Sequence, residues 1–338
     1  MKKLLIVALS AAVLLAMLGY LVSVKTQTGS KSAAISPTPV LKPVVKLGYL
    51  PKSSLRILVA VADKKGFFKK NNVDVKIYGV ENAIATSLVS KQTNVVLDLP
   101  STLLLARANG SDIVEIGEVT NDYPFLLISY KNPSFVKTIA IPRIGGEPHL
   151  RALEILKKLN IDSSKVTFQA SGSGPASAEL LKKREVDAAM LSTFDWSVLK
   201  TQTFASDVPK ILFDTSKEKD LRNPNIIVVN AEFLKKNKKI MENFSKALIE
   251  ANNYIKSSKD EELVSTLSAF SQIEDKRALE TVKNYKSTLE GWKFKPDLER
   301  TIALANTLKE FNDKKFNPAT FISLDIFSAL EKSGFIKN

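Results

Sequence analysis

The chain's 338 residues suffice for about two ordinary domains, and a composition of 44% hydrophobic and 25% charged residues excludes wholesale disorder and a multi-span membrane protein. With no cysteine and one histidine, His149, it cannot build a disulfide framework, Cys-ligated zinc, an iron–sulfur cluster, a thiol nucleophile or a His-rich metal cage, so neither cofactor nor metal is expected. The net charge of +14 comes mostly from lysine pairs set among acids, such as Lys157-Lys158 and Lys182-Lys183, which read as a solvated surface and not as a nucleic-acid stripe.

At the amino end, Met1-Lys2-Lys3 precedes an uncharged, largely apolar run over residues 4–24. A membrane span needs about 20 such residues, whereas a cleaved export signal has an apolar core of about 7–15 and a small-residue cleavage site. Residues 1–24 therefore fit a single-span signal anchor first and a cleaved signal peptide second. Both readings put the remainder outside the cytoplasm, either held at the cell membrane as an extracytoplasmic domain or released to the periplasm or medium. Anchoring through an acylated cysteine is excluded. Residues 25–43, with Ser36-Pro37-Thr38-Pro39, lack apolar periodicity and read as a Ser/Thr/Pro-rich linker.

From Val44 onward, strand-like runs alternate with helical periods, the grammar of an α/β protein with a largely parallel sheet. A strand over 44–49 leads to a helix with Ser53 or Ser54 as its N-cap and Gly66 just past its end. Strand 73–78, helix 82–91 and strand 95–97 follow, then a helix that starts at Ser101-Thr102 and closes at Asn109-Gly110. Strands 113–119 and 125–129 flank the turn-like stretch Thr120 to Pro124. The pattern then repeats with strand 138–141, helix 147–159, strand 166–169, a helix to Arg184 and strand 188–191. After apolar runs at 211–213 and 226–229, everything from Ala231 is helical in period.

In open parallel sheets the ligand crevice lies at the carboxyl ends of the strands, where helix N-termini point. The loops at those places are 49–54, 98–102, 144–149, 171–175 and 192–196, and nearly all carry glycine or small hydroxyl residues. First-turn amides and hydroxyls at Ser53, Ser54, Ser101, Thr102, Gly145 and Gly146 would suit a small oxyanion or a polar zwitterion. Taken singly, each serine or threonine is equally an ordinary helix cap, and the glycine pair a plain turn. Gly172-x-Gly174 is no dinucleotide fingerprint, and no Gly-Lys-Ser/Thr phosphate loop occurs. His149 is either a ligand hydrogen-bonding group or a structural histidine. Tyr49, Tyr123 and Trp196 are cleft aromatics or core, and Asp98, Asp122 and Asp195 either meet a ligand amine or form turns.

Leu47-Gly48-Tyr49-Leu50-Pro51 and the run from Ala62-Asp63-Lys64-Lys65-Gly66-Phe67-Phe68 to Asn72-Val73-Asp74-Val75 resemble the opening of a known family. It comprises the nitrate/sulfonate/taurine/bicarbonate solute-binding proteins of ABC importers, related to binders of thiamine-pyrimidine precursors. Leu104-Leu105-Ala106-Arg107-Ala108-Asn109-Gly110 and Ala178-Glu179-Leu180-Leu181 through Val186-Asp187-Ala188-Ala189 are similar to two later segments of that family. Two departures stand out. Lys91-Gln92-Thr93-Asn94 replaces the usual glycine-bearing turn, and Phe135-Val136-Lys137-Thr138 replaces the usual lead-in to the second half.

The resemblance implies a two-lobe, hinge-closing periplasmic-binding-protein-like (type II) α/β fold, which the apolar run over 4–24 places behind an N-terminal membrane-spanning helix. Lobe one would comprise residues 44–122 and 220–338, and lobe two residues 123–219. It implies the extracytoplasmic solute-binding component of an ABC importer, monomeric, membrane-tethered and working with permease and ATPase subunits. The ligand would be a small anion or zwitterion of the nitrate, sulfonate, taurine, bicarbonate or pyrimidine-precursor class, and nothing is catalysed. The expected ligand-binding set is Tyr49, Ser53, Ser54, Ser101, Thr102, Asp122, Tyr123, Gly145, Gly146, His149 and Asp195. Two alternatives share the fold: a membrane-anchored sensor or scaffold, and a thiamine-pyrimidine synthase-like enzyme. The latter would need a reactive histidine and cysteines.

Overall fold

The protein is described from a computed structural model that covers residues 42–80, 83–218, 221–312 and 316–336. The apolar run over 4–24 and most of the 25–43 linker lie outside the described residues. Among those described, no helix is long and apolar enough to cross a membrane.

The short apolar runs become ten strands in two sheets. Strands β1 (Val45–Tyr49), β2 (Val75–Gly79), β3 (Val95–Asp98) and β4 (Ile113–Glu118) start the first sheet. The chain then crosses to build β5 (Phe125–Ser129), β6 (Thr138–Ile141), β7 (Thr167–Ala170), β8 (Ala188–Ser192) and β9 (Lys210–Asp214), and returns as β10 (Ile226–Asn230). The strand orders are β2-β1-β3-β10-β4 and β7-β6-β8-β5-β9, the same arrangement twice. Each sheet departs from the expected parallel pattern at one strand. β10 runs antiparallel to β3 and β4, and β5 antiparallel to β8 and β9. These two strands arrive from the opposite sheet, so they enter from the other end.

Period-two alternation sends neighbouring residues of one strand into different cores. In the first sheet Val95, Leu97, Ile227 and Val229 face one layer of helices, while Val96, Ile226 and Val228 face the other. The former layer holds α1 (Arg56–Lys64) and α2 (Phe67–Lys70). The latter holds α3 (Ile84–Val89) and α4 (Pro100–Ala108). In the second sheet Phe125 and Leu127 pack under α5 (Glu147–Lys158), and Leu126 and Ile128 under α6 (Gly174–Lys182) and α7 (Thr193–Thr201). After β10 come α8 (Ala231–Lys236), α9 (Lys238–Ser257), α10 (Asp260–Ser271), α11 (Asp275–Ser287), α12 (Leu298–Asn312) and α13 (Asp325–Lys332). Residues Ile57 to Ala62 of α1 are buried all round because α9 and α10 cover the side that the sheet does not.

Two local expectations are corrected. Neither Ser53 nor Ser54 is the N-cap of α1; Leu55 holds that position. The amides of Arg56 and Ile57 bond back to Ser53 O and Ser54 O, and this tightened turn draws the serines inward before the helix begins. At the altered turn, Lys91 takes a left-handed φ of 62°, a conformation that glycine adopts without strain. Asn94 closes the turn by accepting the Lys46 N–H at 2.8 Å.

Candidate functional site

Two crossings join the sheets and form the floor of the space between them. Val119 N–H donates to Asn225 O and Tyr123 N–H to Asn223 O, both at 2.8 Å. Asp122 Oδ1 accepts the Asn223 N–H at 2.7 Å, so this carboxylate is spent on pairing the two crossing segments. Arg222 fastens them from the side. Its Nη1 donates to Asn121 O at 2.8 Å and Glu118 Oε2 at 3.0 Å, and its Nη2 to Asp297 Oδ2 at 2.8 Å.

Tyr123 stands just beyond this crossing, with its hydroxyl beside Ser54 Oγ and Ser192 Oγ. Burial, and then the negative charge of Asp195, push its pKa above the ordinary tyrosine range, while the two serine hydroxyls oppose this. The charges of Asp98 and Arg56 also reach it. Tyr123 is thus the point where side chains from both sheets meet. Ser54 is 2% exposed, and its Oγ has no hydrogen bond of good geometry.

Arg56 opens α1 and is 4% exposed. Its Nη2 donates to Thr281 Oγ1 at 2.7 Å, its Nε has no partner, and no described carboxylate pairs with it. Burial, then the nearby positive charge of Arg277, lower its pKa to about 10. Tyr49 lies at the end of β1, buried, with its ring 6.5 Å from that of Phe270 and its hydroxyl within the field of Arg56.

Asp98, at the end of β3, is 7% exposed and has no ion-pair partner among the described residues. Burial raises its pKa to about 7; the Leu99 N–H and Arg143 act against the rise, and Glu147 adds to it. Asp195 sits in the first turn of α7, where Ser192 caps the helix by accepting the Asp195 N–H and donating its hydroxyl to Asp195 Oδ2 at 2.6 Å. Burial raises the Asp195 pKa as well. Its carboxylate lies over Gly174, the first residue of α6, so closely that a Cβ there would come within 2.1 Å of Oδ2.

The first turn of α4 is where the sequence points to free amides. Ser101 is 1% exposed, and its backbone N–H donates to Glu147 Oε2 at 3.1 Å, across from the other sheet. Glu147 is itself buried and held by Arg151 Nε at 2.8 Å. The Ser101 Oγ is left without a partner. Thr102, the next residue, is half-buried. Across the same gap, Leu150 of α5 packs into the α4 side of the first sheet's core, and Leu99 packs against the core of the second. On the other side Asn284 Nδ2 of α11 donates to Thr193 Oγ1 at 2.7 Å.

Gly145, Gly146 and His149 form a turn of their own at the start of α5. Gly145 has a φ of 73°, and its N–H donates to His149 Nδ1 at 3.1 Å. The imidazole stands edge-on to Phe168 at 4.5 Å, and burial lowers its pKa. Ser53 Oγ donates to Leu50 O within its own turn. The expected set therefore divides. Ser54, Tyr123 and Asp195 converge, Tyr49 borders them, and Ser101 faces the same gap. Asp122, His149, Gly145 and Ser53 are engaged in local structure. Arg56, Arg143, Glu147, Thr281 and Asn284 were missed. Arg56 had a readable signal, a single cation ahead of the otherwise apolar run Ile57 to Ala62; the others depend on long-range packing. Among the described residues no three His, Asp or Glu side chains converge on a metal-binding arrangement.

The family model described as NMT1/THI5 like matches residues 56–262. Comparison with curated proteins finds no match. Among solved structures, the periplasmic aliphatic sulphonate-binding protein SsuA from Escherichia coli superposes with a TM-score of 0.68 at 16% identity, over 83% of this chain and 92% of that one. The periplasmic nitrate-binding protein NrtA from Synechocystis gives 0.63 at 13%, over 86% and 88%. A ligand-binding component of an ABC-type import system from Staphylococcus aureus, with zinc bound, gives 0.67 at 13%, over 85% and 98%. The likeness establishes the two-sheet fold of periplasmic binding proteins.

Proposed function

The chain belongs to the NMT1/THI5-like family, and from that premise we propose that it is the extracytoplasmic solute-binding component of an ABC importer. It captures a small anionic or zwitterionic molecule between its two sheets and delivers it to a permease. The observation that carries this reading is a set of buried polar atoms left without partners on the first sheet's side of the gap: Arg56 Nε, Ser101 Oγ and Asn284 Oδ1. A buried donor or acceptor without a partner costs about 1–3 kcal/mol, which a polar ligand in the gap would recover. The two crossings at Val119–Asn225 and Tyr123–Asn223 support hinge closure around such a ligand.

Residues 4–24 serve in this reading as the tether or export signal, 25–43 as the linker, and the lobes meet near residues 122 and 220. No catalysis is assigned. The single histidine accepts the Gly145 N–H at Nδ1. Isothermal calorimetry of the full chain against nitrate, bicarbonate, ethanesulfonate, taurine and an aminopyrimidine tests the proposal, with X-ray scattering to follow compaction. Saturable binding of one of these with a decrease in radius is expected. Absence of binding by all of them would sink it.

A further inference from the structure

Resting on that solute-binding reading, we propose that the captured molecule is a zwitterion, with its ammonium group held by Asp98 and Asp195 beside the Tyr123 hydroxyl and its anionic group met by Arg56. The charges around the gap argue for this. Arg151 is committed to Glu147 and Glu154, leaving Arg56 as a buried cation with no carboxylate partner among the described residues. Against it stand two carboxylates without ion pairs, Asp98 from the first sheet and Asp195 from the second, both close enough to act on Tyr123. Arg143 acts on Asp98 and Arg277 on Asp195 without pairing with either, and an ammonium group, unlike a plain oxyanion, would pair with these carboxylates directly.

The helix starts point the same way. The Ser101 amide, which an oxyanion would need, is already given to Glu147, and the Asp195 carboxylate covers the first residue of α6. Buried carboxylates are stable when paired with a cation that also satisfies their lone pairs, and an ammonium group brings three N–H donors. The orphaned Arg56 Nε and Ser101 Oγ then remain for the anionic end. Asp98 and Asp195 come from different sheets, so an ammonium group between them draws the two halves together.

Matched probes separate the two ends of the ligand: taurine against ethanesulfonate and ethylamine, and β-alanine against propionate, each titrated into the full chain by calorimetry. At least one zwitterion should bind tenfold or more tightly than its deaminated counterpart. Asp98→Asn and Asp195→Asn should each cut zwitterion affinity tenfold or more and leave that for the deaminated acid within threefold. Asn is nearly isosteric with Asp, and circular dichroism of each variant verifies folding. Ethanesulfonate, propionate or nitrate binding as tightly as the zwitterions would overturn the proposal and leave the solute-binding reading intact. Full zwitterion affinity in both variants would overturn it equally, as would failure of every zwitterion; the solute-binding reading falls only if nitrate, bicarbonate and an aminopyrimidine fail as well.

Discussion

The Glu147 carboxylate of α5 accepts the backbone N–H of Ser101 in α4 at 3.1 Å, so a side chain of one half occupies a helix N-terminus of the other. The anion that the helix dipole favours there is the protein's own. Replacing Glu147 by Ala removes that bond and one of the two carboxylates that hold the buried Arg151. A stability loss of about 3 kcal/mol is expected in denaturant unfolding, the low end for breaking a buried pair because Glu154 remains. The freed Ser101 amide should also raise affinity for small anions.

Asp98 gives a pH signature. Its folded pKa is raised to about 7, above the unfolded carboxylate value, so between about pH 4 and 7 the native state binds the extra proton and its stability falls as pH rises. Glu115, raised by burial to about 7 despite its ion pair with Arg300, has the same sign. The clean measurement is therefore a difference. Asp98→Asn should exceed the parent in melting temperature at pH 8, and the gap should close by pH 4.

His149→Ala should lower stability by about 1–3 kcal/mol, because the part-buried Gly145 N–H loses its acceptor and Phe168 loses its edge contact. Ligand affinity should stay within threefold of the parent by calorimetry. A larger loss would return the histidine to the binding set.

Gly174→Ala places a methyl group where the Asp195 carboxylate now sits. Overpacking of this kind costs about 1–3 kcal/mol. The displaced carboxylate should also weaken zwitterion binding about tenfold in calorimetry.

Arg222→Ala should loosen the crossing, since Glu118 and Asn121 in one crossing segment and Asp297 in α12's lead-in lose their common donor. A loss of about 1.5–3 kcal/mol is expected for charged hydrogen bonds of this burial. Scattering on the unliganded variant should show a larger radius than the parent.

Much of the fold was legible because alternation and cap residues are local signals. The strand at Phe125–Ser129 and the helix starting at Glu147 fall where the periodicity puts them. What the pattern could not reveal was direction, because β5 and β10 read like any apolar strand and their antiparallel sense comes from where the chain enters each sheet. The site was legible by residue type and not by partner. Ser101 was rightly placed at a helix start, but Glu147 lies 46 positions away, and only the packed fold brings it to that amide. Asp98 stayed open between a partner for a ligand amine and a turn former, because nothing local marks a strand-end aspartate as buried.

The exchange of strands also orders synthesis. The second sheet is complete once Asp214 has been made, but the first still waits for β10, which pairs with both β3 and β4. While the ribosome adds those last residues, the earlier half is the unfinished one, exposing two unpaired strand edges of the kind that invite aggregation. A chaperone attending this chain would have most to protect at its beginning, and a stop between Asp214 and Ile226 would release one complete sheet and one incomplete one.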